Sequence, residues 1–339
     1  GIFTYCKDRG DDKCPPWTLQ SKKIEHNLAE KTIYYQNAIL KVYDFPIFYF
    51  PVLSHPDPTV KRRSGFLAPS LSSSTTVGSG FNVPYFWNIS RDKDLTFTPK
   101  LYLNENPVIL TEYRQDFKNS NLIVDTSYTQ GYKKKTKKKS SGGRAHFFSQ
   151  FNYNFLDEED KKSDLEINIQ KTSNDTFFKI HDIDTTLVKG DINILKNTAN
   201  YTYQDNDTFL GVNISAFEDM SKTDRSRYEY LVPITFENNI YSDEKFGFLD
   251  FTSNARIRNY DVNKQTEFFV NDFDWSSKKW INKMGYENHF KSLIKTVNYK
   301  ANNAPDLKVD GNNSELSGAL GFFSKLALYK NDLINKNIY

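Results

Sequence analysis

The sequence predicts an all-β protein of the kind that crosses a membrane as a β-barrel. From residue 64 onward, segments of about ten residues alternate apolar and polar side chains, as strands with one lipid face and one polar face do. The 339 residues include 27 Phe and 21 Tyr but 2 Met, and aromatic residues favour strands and membrane interfaces. No run of 18 apolar residues exists, which excludes transmembrane helices and leaves a barrel open.

The composition argues against nucleic-acid binding and catalysis. A net charge of +3 is too small to indicate binding of nucleic acid. No metal-binding helix, nucleophile elbow or phosphate-binding glycine loop surrounds the histidines, which are His26, His55, His146, His181 and His289. His181 and Asp182 would point to opposite faces of a strand, so we interpret His181 as a loop or strand-end residue. We therefore predict no enzyme, no cofactor and no metal site.

Cys6 and Cys14 are the only cysteines. They lack the second pair of ligands that a zinc site needs. Two free thiols, or a disulfide formed in an oxidising compartment, remain open on the residues alone. The chain begins with GIFTYC and has no initiator Met, so we expect a fragment of a longer protein.

Residues 1–60 predict the last strands of a small domain. TIYYQNAILKV, over 32–42, alternates as a half-buried strand does. The stretch 44–58 then carries Pro46, Pro51, Pro56 and Pro58, which indicates an extended connector leaving the sheet. The segment is too short for a good core of its own.

Strands follow at regular spacing from there, near 64–71, 80–89, 95–104, 109–117, 121–131, 146–155, 165–172, 198–205, 208–216, 228–240, 247–260, 265–274, 289–299 and 317–329. Three of them show one apolar face, formed by Leu95, Phe97, Pro99, Leu101 and Leu103, by Phe147, Phe151, Tyr153 and Phe155, and by Leu165, Ile167 and Ile169.

The predicted connections alternate in length. Those at 91–94 and 118–120 are short, whereas those at 132–144 and 182–197 are long, as in outer-membrane barrels. The lysine-rich run 133–139 would lie in a long loop, either as a solvated segment or in contact with anionic lipid phosphates.

Pro69 and Pro84 fall on two adjoining predicted strands. Proline cannot donate to a strand ladder and is normally kept out of paired central strands. Either each is an ordinary strand-end residue, or the two mark a seam that is weakly paired. We favour the seam because the two prolines occur on consecutive strands.

The same region resembles a known family. The matching phrases are FTYC (3–6), PIFYFP (46–51), KRRSGFLAP (61–69), VPYFWNIS (83–90), DLTFTP (94–99) and EYR (112–114), with a looser match at FFKIHDI (177–183). They are similar to LptD, the outer-membrane lipopolysaccharide assembly family, also called the organic solvent tolerance protein.

The resemblance implies the C-terminal end of a periplasmic β-jellyroll over 1–60, then roughly the first half of a large, incomplete antiparallel transmembrane β-barrel over 61–339. The implied partners are lipopolysaccharide, outer-membrane lipids, an LptE-type lipoprotein plug and an LptA-type periplasmic bridge joined through the jellyroll. Lipid would leave sideways at a lateral gate marked by Pro69 and Pro84. Cys6 would match a family cysteine whose partner lies beyond Tyr339, or pair with Cys14.

Two further groups follow from the resemblance. The jellyroll end offers a lipid path, with Ile39, Val42, Phe45, Ile47 and Phe48 as candidate lining residues, or these five form an ordinary core. Arg62 and Arg63, at the junction, meet lipid phosphates or are solvated or ion-paired. Two other classes stay open: a diffusion porin or similar outer-membrane channel, and a soluble β-sandwich adhesin.

Overall fold

The computed structural model describes residues 2–3, 17–42, 45–57, 59–60, 62–136, 139–190, 192–304 and 311–326. The described chain is almost entirely strand, which confirms the all-β prediction. Cys6 and Cys14 lie outside the described residues. Within these ranges, no helix is long and apolar enough to span a membrane.

The strands in chain order are β1 (Ile2–Phe3), β2 (Trp17–Asn27), β3 (Thr32–Val42), β4 (Phe45–Pro56), β5 (Gly65–Phe66), β6 (Ser70–Ser74), β7 (Gly78–Asn82), β8 (Tyr85–Asn88), β9 (Lys93–Tyr102), β10 (Val108–Asp116), β11 (Ser120–Thr136), β12 (Lys139–Asp157), β13 (Lys162–Thr172), β14 (Ile194–Gln204), β15 (Thr208–Asp219), β16 (Tyr228–Asp243), β17 (Gly247–Tyr260), β18 (Lys264–Ser276), β19 (Trp280–Ile281), β20 (Tyr286–Asn302) and β21 (Gly311–Leu326). A short helix, α1 (Phe177–His181), follows β13, and a 3-10 turn (Arg225–Arg227) precedes β16.

The chain forms two compact units. The smaller comprises residues 1–70 and 82–99, and the larger comprises 71–81 and 100–339. The smaller unit therefore extends past residue 60 and takes in the first strands that follow the junction.

Strands β1 to β4 of the smaller unit form an antiparallel sheet in chain order. Its core contains Leu19, Tyr35 and Ala38, which are buried. The predicted connector over 44–58 is wrong, because β4 pairs with β3 from Val42↔Phe45 to Thr32↔Pro56. β4 is the edge of the described sheet, and an edge strand tolerates proline because alternate N–H groups face away from the ladder.

Strands β10 to β18, β20 and β21 of the larger unit form one antiparallel sheet in which each strand pairs with the next. The connections at one edge of this sheet, 117–119, 158–161 and 205–207, are short. At the other edge, residues 173–193 join β13 to β14. The predicted short connection near 118–120 and the long connection that includes 182–190 are therefore confirmed, whereas a strict alternation is not, because the connection 261–263 at the second edge has three residues.

The two faces of this sheet differ in polarity. One row of paired residues runs Tyr153, Leu165, Tyr201, Val212, Ile234, Ala255 and Phe269 across seven strands. The row on the opposite face runs Asn152, Glu166, Asn200 and Asn213. Side chains of the apolar face are widely exposed, Ile214 by 56% and Leu320 by 75%. An apolar exposed face of this extent is what lipid contact requires.

The predicted long loop at 132–144 is wrong. β11 continues to Thr136 and β12 begins at Lys139, so most of the lysine run lies in a paired hairpin. The register shifts on either side of Gly131, whose φ of 80° suits glycine and lets the ladder bend and continue. Lys137 and Lys138 lie outside the described residues.

Candidate functional site

Pro69 and Pro84 interrupt the first strands that follow the junction. The predicted strands 64–71 and 80–89 are each broken in two: residues 67–69 separate β5 from β6, and residues 83–84 separate β7 from β8. We call residues 65–88 the proline segment. The prediction of two continuous strands is therefore wrong, and the break falls at each proline because its ring nitrogen carries no hydrogen.

At the first break, the ladder between β5 and β8 continues with a single backbone hydrogen bond. β5 pairs with β8 through Gly65↔Phe86 and Phe66↔Tyr85. In the next position, the Leu67 amide donates to the Pro84 carbonyl at 2.9 Å. A hydrogen-bonded antiparallel pair exchanges two such bonds. Pro84 cannot supply the second, so the Leu67 carbonyl receives nothing from it.

A second antiparallel pair that lacks its return hydrogen bond lies on the other side of β8. β8 pairs with β9 from Asn88↔Asp94 to Tyr85↔Phe97. Continuing that register, the Val83 amide donates to the Pro99 carbonyl at 3.2 Å, and Pro99 has no hydrogen for the return bond. Pro69, exposed within the first break, also cannot donate in either direction.

A strand proline elsewhere provides a comparison. Pro233 lies inside β16, where the pairing with β15 skips from Val212↔Ile234 to Ser215↔Leu231. Pairing with β17 continues past it, through Pro233↔Arg256. Pro233 therefore causes a local skip in a 16-residue strand, whereas β5 to β8, which are interrupted at Pro69 and Pro84, have two to five residues. Pro99 lies inside β9, which has ten residues.

Arg62 and Arg63 precede the proline segment and point to different partners. Arg62 Nη2 pairs with Asp94, whose side chain is 4% exposed, and Nη1 donates to the Arg91 carbonyl at 2.7 Å. Arg63 Nη1 donates to the Thr32 hydroxyl and to the Glu30 carbonyl at 3.1 Å. Of the two interpretations left open by the sequence, these contacts favour ion pairing for Arg62. The arginines attach the start of the proline segment to the β8–β9 turn and to the β2–β3 turn.

The five candidate lipid-path residues lie in β3 and β4, and none belongs to the buried core of the small sheet. Phe45 is 74% exposed and Ile47 51%, while Val42 and Phe48 are also exposed and Ile39 is half-buried. Ordinary core packing therefore does not describe them. Their role as a lipid path stays a prediction.

Sequence reasoning missed a second feature, which belongs to the larger unit. The connection 173–193 folds against the polar face of the sheet and buries Phe177, Phe178, Ile183 and Val188 with Phe148 and Val108. His181, expected in a loop or at a strand end, is the last residue of α1 and is 3% exposed. We call residues 173–193 the inward segment.

Side chains from β9 and β6 satisfy the carbonyl groups at the end of α1. Lys100 Nζ donates to the carbonyls of His181 at 2.5 Å and of Asp182 at 2.7 Å. Ser74 Oγ donates to the Ile180 carbonyl at 2.8 Å. These carbonyls have no partner within the helix, so Lys100 and Ser74 complete the C-terminal cap. Burial lowers the pKa of His181 to about 4, with the Lys100 charge acting in the same direction.

A buried polar cluster holds the following turn. Asp125 Oδ1 lies 3.2 Å from His146 Nε2, and Ser127 Oγ lies 2.5 Å from His146 Nδ1. The hydroxyl of Thr185 donates to Asp125 Oδ2, and the Val188 amide donates to the Thr185 hydroxyl at 3.1 Å. Asp125, Ser127 and His146 have the composition of a hydrolase triad. They are buried, and they hydrogen-bond to one another and to Thr185 of the inward segment. The sequence signal for it is the apolar pair Phe177–Phe178 inside a polar connection.

No family model matches the chain. The chain is 28% identical to the LPS-assembly protein LptD of Shewanella oneidensis over 269 residues, which cover 76% of this chain and 33% of the relative. It is 28% identical to the LPS-assembly protein LptD of Pseudomonas aeruginosa over 289 residues, 85% of this chain and 28% of the relative.

A shorter match is stronger. The chain is 43% identical to the LPS-assembly protein LptD of Shewanella sp. strain ANA-3 over 105 residues, 30% of this chain and 14% of the relative. The chain thus spans about a third or less of the length of these curated relatives.

Proposed function

We propose that this chain, which is similar to the LPS-assembly proteins LptD, belongs with them and takes part in placing lipopolysaccharide in the outer leaflet of the outer membrane. The similarity to these proteins and the exposed apolar face of the large sheet support an outer-membrane location. The family relatives are assembly proteins, and catalysis forms no part of the proposal.

The observation that carries the proposal is the position of the prolines: Pro69 and Pro84 lie in the breaks between β5 and β6 and between β7 and β8, and Pro99 lies in β9. Pro84 cannot return the bond that Leu67 gives, and Pro99 cannot return the bond that Val83 gives. Each missing bond is worth about 0.5–1.5 kcal/mol net, and more where the orphaned carbonyl is kept from water. Losses of this size bring a slightly opened state within a few kcal/mol of the closed state, where it is populated as a minor conformer.

In the proposed path, lipid reaches the proline segment from the jellyroll end and leaves sideways between its strands. Residues 1–60 would form that jellyroll end and residues 61–339 part of the barrel. The exposed residues Val42, Phe45, Ile47 and Phe48 and the half-buried Ile39 are available to contact acyl chains. An LptA-type protein would deliver the lipid and an LptE-type lipoprotein would occupy the barrel. Both partners are proposed from the family resemblance.

Restoring the missing donors tests the proposal. The double variant Pro69→Ala and Pro84→Ala supplies two amide hydrogens at the break and leaves the side-chain contacts of Arg62 and Arg63 in place. We expect less lipopolysaccharide at the cell surface in cells that carry the variant in the full-length protein. Heat-modifiable migration on gels should stay normal, because barrel folding is unaffected.

Pro233→Ala is the matched control, since it restores a donor within β16, away from the proline segment. Export should be unchanged in that variant. Normal surface lipopolysaccharide in the double variant, or an equal defect in the Pro233 control, would refute the role of the proline segment.

A further inference from the structure

One turn departs from the others at the short-turn edge of the large sheet. Residues 277–285, between β18 and β20, are longer than the three-residue turn 244–246 beside them and contain β19. β19 pairs with β20 through Trp280↔Asn288 and Ile281↔Glu287. We call residues 277–285 the finger.

The finger is a rigid ribbon. The Asn282 amide donates to the Tyr286 carbonyl at 2.9 Å, and the Gly285 amide donates to the Asn282 carbonyl at 3.0 Å. Asn282 Oδ1 accepts from the amides of Met284 and Tyr286 at 3.0 and 3.1 Å. Gly285 has a φ of 84°, which a residue with a side chain adopts at a cost. Hydrogen bonds of the backbone and of the Asn282 side chain therefore hold the tip.

This rigid tip presents apolar side chains. Ile281 is 72% exposed and Met284 80%. Trp280 packs on Phe290 and Phe322 of the apolar face, with ring centroids 5.5 and 6.1 Å apart. The apolar face of the sheet thus continues onto the finger. A Trp at the end of the apolar face, next to the turns, is typical of the boundary between acyl chains and headgroups.

Lysines flank these apolar side chains in the sequence and on the adjoining strand. Lys278, Lys279 and Lys283 lie on the finger, and Lys325 lies at the end of the adjoining β21. Lys279 pairs with Glu287 at 3.0 Å. Among the described residues, Lys278, Lys283 and Lys325 form no ion pair with a carboxylate. Asp243 and Glu244 are the acidic groups on the neighbouring turn, and Asp243 accepts from the Lys245 and Phe246 amides.

We infer that the finger binds anionic glycerophospholipid in the periplasmic leaflet of the outer membrane. The short-turn edge of an outer-membrane barrel faces the periplasm. Ile281 and Met284 enter the leaflet at the headgroup boundary, and the lysines contact lipid phosphates, each worth roughly a fivefold gain in affinity for an anionic surface. The inference depends on the outer-membrane location and not on the cargo of the protein.

Native mass spectrometry of the full-length protein tests this. The protein is mixed with phosphatidylglycerol or with zwitterionic phosphatidylcholine, and bound lipids are counted. The finger variant is Lys278→Gln, Lys279→Gln and Lys283→Gln together. The control is Lys118→Gln, Lys161→Gln and Lys162→Gln, three exposed lysines on the same edge. Heat-modifiable migration reports that each variant is folded.

We expect the wild type and the control to prefer phosphatidylglycerol, and the finger variant to lose that preference by at least about tenfold. Equal binding of the two lipids by the wild type, or an unchanged preference in the finger variant, would overturn the inference. A photo-crosslinker at position 281 gives a second readout in cells. A lipid adduct there supports the inference, and a protein adduct in its place overturns it by showing that a partner protein covers the finger. Either result stands whether or not the proline variants affect lipopolysaccharide.

Discussion

The Leu67 amide donates to the Pro84 carbonyl at 2.9 Å, and Pro84 has no hydrogen with which to return the bond. This one-sided pair, at the point where β5 ends, explains why the strand stops after two residues. A ladder that continues needs both bonds of each hydrogen-bonded pair. The broken strand is thus a consequence of covalent chemistry at one position.

The single variant Pro84→Ala should close this pair. The new backbone amide at position 84 can donate to the Leu67 carbonyl, which stabilises the closed ladder by about 0.5–1.5 kcal/mol. Hydrogen exchange of the amides of Leu67 and Tyr85 should slow by a factor of roughly 2 to 12. Exchange that is unchanged at both amides would mean that this pair does not control local opening.

Replacing Arg62 with Gln should loosen the start of the proline segment. The buried Asp94 carboxylate then loses its charged partner, at a cost of about 1–3 kcal/mol because Arg62 is partly in water. Faster hydrogen exchange in β8 and β9 would report the loss. Arg91→Gln is the control, as Arg91 is exposed and forms no ion pair among the described residues. The double variant Arg62→Gln and Asp94→Asn should recover part of the stability, and no recovery would contradict the ion pair as the cause.

The hydroxyl of Thr185 should anchor the inward segment. Thr185→Val removes the hydrogen bond to Asp125 and the acceptor of the Val188 amide, and it leaves a buried carboxylate oxygen short of a donor, at a cost of about 1–3 kcal/mol. Limited proteolysis should then cut between residues 182 and 190 faster than in the wild type. Thr186→Val makes the same change at an exposed neighbouring side chain and should have no effect. Equal cleavage of both variants would show that the contacts of the Thr185 hydroxyl do not anchor the segment.

Acid should release α1. His181 has a pKa of about 4 when buried, against an ordinary value near 6.5. A pKa that falls on folding means that the released segment binds more protons between these values. The packed state is therefore fully stable above pH 6.5 and loses stability as the pH falls towards 4. At most about 3 kcal/mol is lost, the equivalent of this shift in pKa.

The Ile183 amide, which donates to the Phe178 carbonyl, is a suitable reporter of this release. Its hydrogen exchange, corrected for the intrinsic rate, should speed up between pH 6.5 and 4.5. His181→Gln removes the titrating group, so its exchange should not depend on pH in this range. A wild type that behaves like this variant would show that His181 does not control the packing of α1.

The strands of the large sheet were predictable because their signal is local. β17 was placed at 247–260, as found, and the apolar faces through Phe147 and Ile169 are exposed as lipid contact requires. Side-chain alternation has the period of the backbone pleat, so it survives without tertiary information. β4 was missed because its prolines suggest a connector. A strand tolerates proline when it pairs on one side only, and the sequence does not show which strand lies at an edge. The lysine-rich hairpin was missed because pairing depends on register and glycine bends more than on side-chain charge.

The sequence by itself determined the strand periodicity, the class of fold and the position of each proline, since these depend on side-chain order and on a missing hydrogen. Only the tertiary structure decided which carbonyl each proline leaves without a return bond, that Arg62 reaches the buried Asp94, and that residues 173–193 fold onto the sheet. Those facts join residues up to 106 positions apart, as in the bond from Ser74 to Ile180. A local sequence pattern does not predict such long-range contacts, because they depend on which strands become neighbours.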